Sequence, residues 1–76
     1  MGCPVNRALK DIHDESEVGR MSWGAFRSTH EFYGVLHEEV CELLDAIQRN
    51  DEDGARMEAK QVAAVAYRFY RDGWKR

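Results

Sequence analysis

The chain is expected to be an all-α domain of three antiparallel helices. Three observations lead there: apolar residues recur at helical spacing, breaks fall at glycines and one acidic cluster, and no alternating strand pattern competes. Pro4 suits a first helical turn, and Val5, Ala8, Leu9 and Ile12 follow at i, i+3, i+4 and i+7. This predicts a first helix over about residues 4–18, ended by Gly19. From Arg20 to Ser28 the period is lost, so Met21, Trp23 and Phe26 read as an ordered loop whose aromatics need a surface to cover. Ser28 or Thr29 can cap a second helix over about residues 29–49, with Glu31 near its positive end. Asn50-Asp51-Glu52-Asp53-Gly54 is a strong break, short enough to make the flanking helices antiparallel neighbours. The third helix is expected over about residues 53–72, closed by Gly73.

At 76 residues the chain is one domain, and 43% hydrophobic with 33% charged residues fits a globular protein. A domain of this size buries only about 60% of its unfolded surface, so a homodimer or homotetramer is expected to complete the helical bundle. The net charge of −3 gives no electrostatic reason to approach nucleic acid. No apolar run approaches the roughly 18 residues of a membrane span, and no signal-peptide core is visible, so a cytoplasmic chain without membrane contact is expected. Met1-Gly2-Cys3 lacks the Ser or Thr that myristoylation wants at position 6, where Asn6 stands. Cys3 and Cys41 have no metal-ligand spacing and read as free thiols.

The chemistry lies in a polar stripe. Each helical residue turns about 100°, so Val40, Leu43 and Ile47 fall within about 40° of Leu36 and Glu39 at about 60°. Glu42 lies further round, on the flank of Val35 and Ala46, while Glu38 points away. On the third helix Glu58, Gln61, Arg68 and Asp72 share the arc of Val62, Val65 and Phe69. Carboxylates facing inward need a cation, an arginine or water, because an unpaired buried one costs several kcal/mol. Glu39, Glu42, Glu58 and Gln61 form a cage of four oxygen-bearing side chains, and hard oxygen ligands suit Mg²⁺, with Mn²⁺ an alternative.

The residues Glu38-Glu39-Val40-Cys41-Glu42, the acidic turn, and Glu58-Ala59-Lys60-Gln61 resemble the E-x-x-E … E-x-x-D signature of MazG-like nucleoside triphosphate pyrophosphohydrolases. His30-Glu31-Phe32-Tyr33-Gly34-Val35-Leu36 and Val62 to Phe69 extend the likeness to a small phage and bacterial branch, over roughly residues 20–72. The resemblance implies an all-α hydrolase that converts a nucleoside or deoxynucleoside triphosphate to monophosphate and pyrophosphate. It gives Glu39, Glu42 and Glu58 the metal-ligand role. Gln61 departs from the wider family's Asp: its carbonyl oxygen can ligate, but it removes a charge and cannot act as a base. Glu38 and Glu39 are the candidate catalytic carboxylates. The substrate-binding candidates are Arg68 for phosphate, Trp23 and Tyr33 for stacking on a base, and His30. Each has a plainer alternative: Arg68 can pair with Glu58 or Asp72, the aromatics can be packing residues, and His30 can belong to the helix cap. A catalytically silent relative that binds nucleotide or protein, and a plain bundle with paired inward charges, remain open at this point.

Overall fold

The loop Gly24 to Ser28 crosses over one end of the last helix, and that crossing organises the molecule. The computed structural model describes residues 4–74, in which α1 spans Val5–Trp23, α2 Thr29–Gln48 and α3 Glu52–Asp72. Cys3 lies outside the described residues. α3 is central: α1 packs on one flank and α2 on the other, and the backbones of α1 and α2 do not approach each other among the described residues. The consecutive helices α1 and α2 are therefore not spatial neighbours. Glu15 pairs with Lys60 and Glu17 with Arg71, so α1 and α3 run parallel. Phe32 stacks on Phe69 while Glu42 lies beside Glu58, so α2 and α3 run antiparallel, as their short turn requires. The result is a flat layer of 40 × 28 × 18 Å.

Local chemistry sets most of the boundaries. Ser28 accepts the Glu31 amide at 3.0 Å, and the Glu31 carboxylate accepts the Arg27 amide at 3.1 Å, a reciprocal cap at the start of α2. Asp51 caps α3 by accepting the Gly54 amide at 2.9 Å. Gly73, at φ 67°, ends α3 in a conformation that side chains avoid. The first helix corrects the sequence expectation. It runs through Gly19 and Arg20 to Trp23, and Gly24 at φ 75° ends it instead.

Gly19 has a packing role. A Cβ there would stand 2.7 Å from the Arg68 Nη1, so the missing side chain makes room for the guanidinium between α1 and α3. Small residues dominate the helix contacts: Ser16 on α1, Ala46 on α2 and Ala64 on α3 are all buried. The Ser16 hydroxyl donates to the His13 carbonyl one turn earlier, which satisfies it inside the contact. Phe26 from the crossing loop is 2% exposed and meets Phe32 and Phe69 edge-on. Phe32 stacks on Phe69 at 4.0 Å, and the Tyr67 hydroxyl bonds His13 Nδ1 at 2.9 Å. Among the described residues, no helix is long and apolar enough to cross a membrane.

Candidate metal centre

Glu39 and Glu42 project one turn apart from α2, and the antiparallel register brings Glu58 of α3 alongside them. One carboxylate oxygen from each lies within 4.8 Å of the other two. Ligand oxygens around a single octahedral Mg²⁺ stand up to about 4.2 Å apart, so the cluster has the scale of a cation site and is slightly open. Glu39 Oε2 and Glu58 Oε2 are buried without a hydrogen-bond partner. Orphaned carboxylate oxygens in such a cluster fit a divalent cation, which would supply what the protein does not. Arg49 is committed to Asp45 at 3.1 Å, and Lys60 to Glu15 at 3.7 Å.

The electrostatics record the same crowding. Burial first, then repulsion from Glu42 and Glu58, pushes the Glu39 carboxyl above the usual carboxylate range. Glu58 is raised by a hydrogen bond shared with Glu42, then by burial and by the Glu42 charge, with Arg49 opposing. Groups with raised folded pKa stabilise the fold fully while protonated, and that contribution is lost as pH rises through the raised values. Asp14, Glu17 and Asp72 are lowered by lysine or arginine partners and act in the opposite sense, losing their contribution as pH falls. Comparison with Glu42→Gln separates the two groups. In EDTA the melting temperature of the natural chain should fall relative to that of Glu42→Gln between about pH 4 and 7. Parallel profiles for the two proteins would remove the repulsion argument.

Two cavities flank the cluster. One, of about 460 Å³, is lined by Cys41, Glu42, Asp45, Arg49, Met57 and Glu58. The other, of about 570 Å³, opens between the end of α1 and α2 and is lined by Trp23, Phe26, Arg27, Glu38, Glu39 and Arg68. A smaller recess beneath it adds Gln61 beside Glu39 and Arg68. Known proteins give no further guide: no family model, curated protein or solved structure matches the chain. The residues must speak for themselves.

The candidate residues divide between these surroundings. Glu38 is exposed, yet it lines the same cavity as Glu39. Trp23 is 83% exposed at the rim. His30 stands exposed in the first turn of α2 and lines none of these three cavities. Tyr33 is also exposed and stacks on His37 instead. Arg68 is 6% exposed and forms a salt bridge with neither Glu58 nor Asp72. Its guanidinium carbon lies 4.1 Å from the centre of the Phe26 ring, and its Nε and Nη1 are buried with no hydrogen-bond partner. Burial accordingly lowers its pKa, against the fields of Asp72 and Glu31. The Phe26 platform and the Gly19 recess escaped sequence reasoning. The available signal was Gly19 itself, a small residue on the α1 face that carries Ile12 and Ser16.

Proposed function

We propose that this chain is a divalent-cation-dependent hydrolase that splits a nucleoside or deoxynucleoside triphosphate into monophosphate and pyrophosphate. The observation that carries the reading is the convergence of Glu39, Glu42 and Glu58 from facing helices, with two of their oxygens buried and unpaired. The MazG-like motif resemblance over residues 20–72 supplies the reaction class. Glu39, Glu42 and Glu58 would hold Mg²⁺ or Mn²⁺, with the Gln61 amide oxygen as a neutral fourth ligand. When bound, the cation neutralises phosphate charge and makes a bound water more acidic.

The chain's own groups do the rest. Arg68 offers two unpaired N–H groups to a phosphate oxygen, in a setting where burial strengthens a charge-assisted bond. Glu38, solvated beside Glu39, accepts a proton from water as its oxygen bonds to phosphorus. The anhydride bond between the first and second phosphates breaks, and its electron pair leaves with pyrophosphate. Trp23 presents an open indole face at the rim of the same cavity. Phosphorus NMR of the common triphosphates and deoxy-triphosphates, with Mg²⁺ or Mn²⁺, tests the reading. Pyrophosphate and a monophosphate should appear from at least one of them. Inorganic phosphate alone would mean another cleavage site. Gln61 favours a second reading, a nucleotide-binding module without turnover, since a neutral amide weakens the cage and cannot serve as a base. That reading predicts cation and nucleotide stabilisation with no product.

A further inference from the structure

The two cavities beside the carboxylate cluster lie along one flank of α2. Glu38, Glu42, Asp45 and Arg49 follow at steps of four, three and four residues, so they form one row beside the groove that α2 makes with α3. Glu38 and Glu39 line the cavity of about 570 Å³, and Glu42, Asp45, Arg49 and Glu58 line the one of about 460 Å³. The cluster sits between them. From Glu38 to Arg49 the helix rises about 16 Å, a length that a nucleoside triphosphate spans.

The two ends differ in chemistry. The larger cavity carries the Trp23 indole and the buried, unpartnered guanidinium of Arg68. Among the described residues, no aromatic side chain lines the smaller one, and Arg49 is its one cationic side chain. Arg49 pairs with Asp45 at 3.1 Å, and the two side chains are 61% and 67% exposed. An ion pair so open to water releases its partners at little cost. The Arg49 charge also reaches the cluster, where it opposes the upward push on the Glu58 carboxyl. We infer that the smaller cavity is the subsite for the pyrophosphate half of the substrate, held by Arg49, while the base and first phosphate occupy the cavity of Trp23 and Arg68. The direction of the substrate rests on the hydrolysis reading, whereas a diphosphate subsite needs no turnover. Arg49 makes and breaks no covalent bond. As the anhydride bond between the first and second phosphates breaks, the electron pair left on the pyrophosphate oxygen develops within reach of a guanidinium that can meet two phosphate oxygens through parallel N–H groups. Glu42 and Asp45 oppose such an anion, so binding depends on the attraction that Arg49 adds to that of a cation in the cluster.

Calorimetry with inorganic pyrophosphate and Mg²⁺ tests the subsite, with circular dichroism reporting folding and phosphorus NMR of the triphosphates run on the same proteins. Arg49→Gln should weaken pyrophosphate binding about ten- to hundredfold. Asp45→Asn should tighten it about two- to fivefold, because it frees the guanidinium and removes a like charge; it also decides the matter if Arg49→Gln loses its helices. Arg7→Gln removes the same charge from an exposed pair on α1 and should change nothing. A natural chain that does not bind pyrophosphate with Mg²⁺, equal affinity in Arg49→Gln, or an equal loss in Arg7→Gln would each overturn the assignment. Binding that depends on Arg49 without cleavage of any triphosphate would remove the hydrolysis reading and leave the subsite. Cleavage by a chain whose pyrophosphate affinity ignores Arg49 would do the reverse.

Discussion

Mg²⁺ or Mn²⁺ at a hundred times its dissociation constant should raise the melting temperature of the natural chain by about 10–20 °C, and Glu58→Gln should abolish that gain. The magnitude follows from linkage: such an excess of ligand adds about 2.7 kcal/mol, and a domain of this length shifts by about 4–8 °C for each kcal/mol. Glutamine keeps the shape of Glu58 but removes the charge that crowds Glu42. The cation-free variant should therefore melt above the cation-free natural chain, and the order should invert when the ion is added. Pyrophosphate release, measured on the same proteins, should drop by at least about 100-fold in the variant. Sodium chloride at matched ionic strength is the control, since simple screening also relieves repulsion. Equal shifts with sodium and magnesium would mean that the three glutamates hold no specific ion.

The three helices and the α2–α3 pairing were legible in the sequence because their signals are local. Ser28, Asp51 and Gly73 mark boundaries by satisfying or ending backbone hydrogen bonds, and such residues act wherever the chain places them. The clustering of Glu39, Glu42 and Glu58 was legible for a related reason. A short turn fixes the antiparallel register, and helical spacing then carries the carboxylates to the same level. Gly19 misled because a glycine that ends a helix and a glycine that admits a neighbour look alike in one sequence. Only the placement of Arg68 against it tells them apart.

The inward direction of α2 was harder to read. The apolar centre of the helix is Leu36 to Ile47, yet α3 packs on the flank bearing Ala46 and Glu39. Small residues permit close approach between the helix axes, and Val40, Leu44 and Ile47 are left outside. Hydrophobic periodicity therefore found the helix and its most apolar face, but that face is not the one that meets α3. Which aromatics lie inside was equally non-local. Phe26 and Trp23 stand three residues apart, one 2% and the other 83% exposed, because the loop carries only Phe26 over the end of α3.

Phe26→Ala should destabilise the chain by about 3–5 kcal/mol, which is among the largest losses any single truncation can cause here. A domain of this size has about 4–11 kcal/mol in total, so the loss takes a large share of it and, at the low end of that range, unfolds the variant at room temperature. Three losses coincide. The ring leaves a void between Phe32 and Phe69, Arg68 loses its aromatic platform, and the loop that ties α1 to α2 loses its anchor. The last matters because α1 and α2 have no direct backbone packing between them and share only α3 and this loop. Phe26→Leu, which retains much of the volume, should lose only about 1 kcal/mol. Urea unfolding followed by circular dichroism gives both values, and a loss below 1 kcal/mol for Phe26→Ala would show that the loop merely covers the bundle. Stability and the proposed site are coupled at this residue, since Arg68, the group proposed to meet phosphate, rests its guanidinium on the ring. In Phe26→Leu the fold should persist while Arg68 is held less firmly, so nucleotide affinity should fall more than stability does.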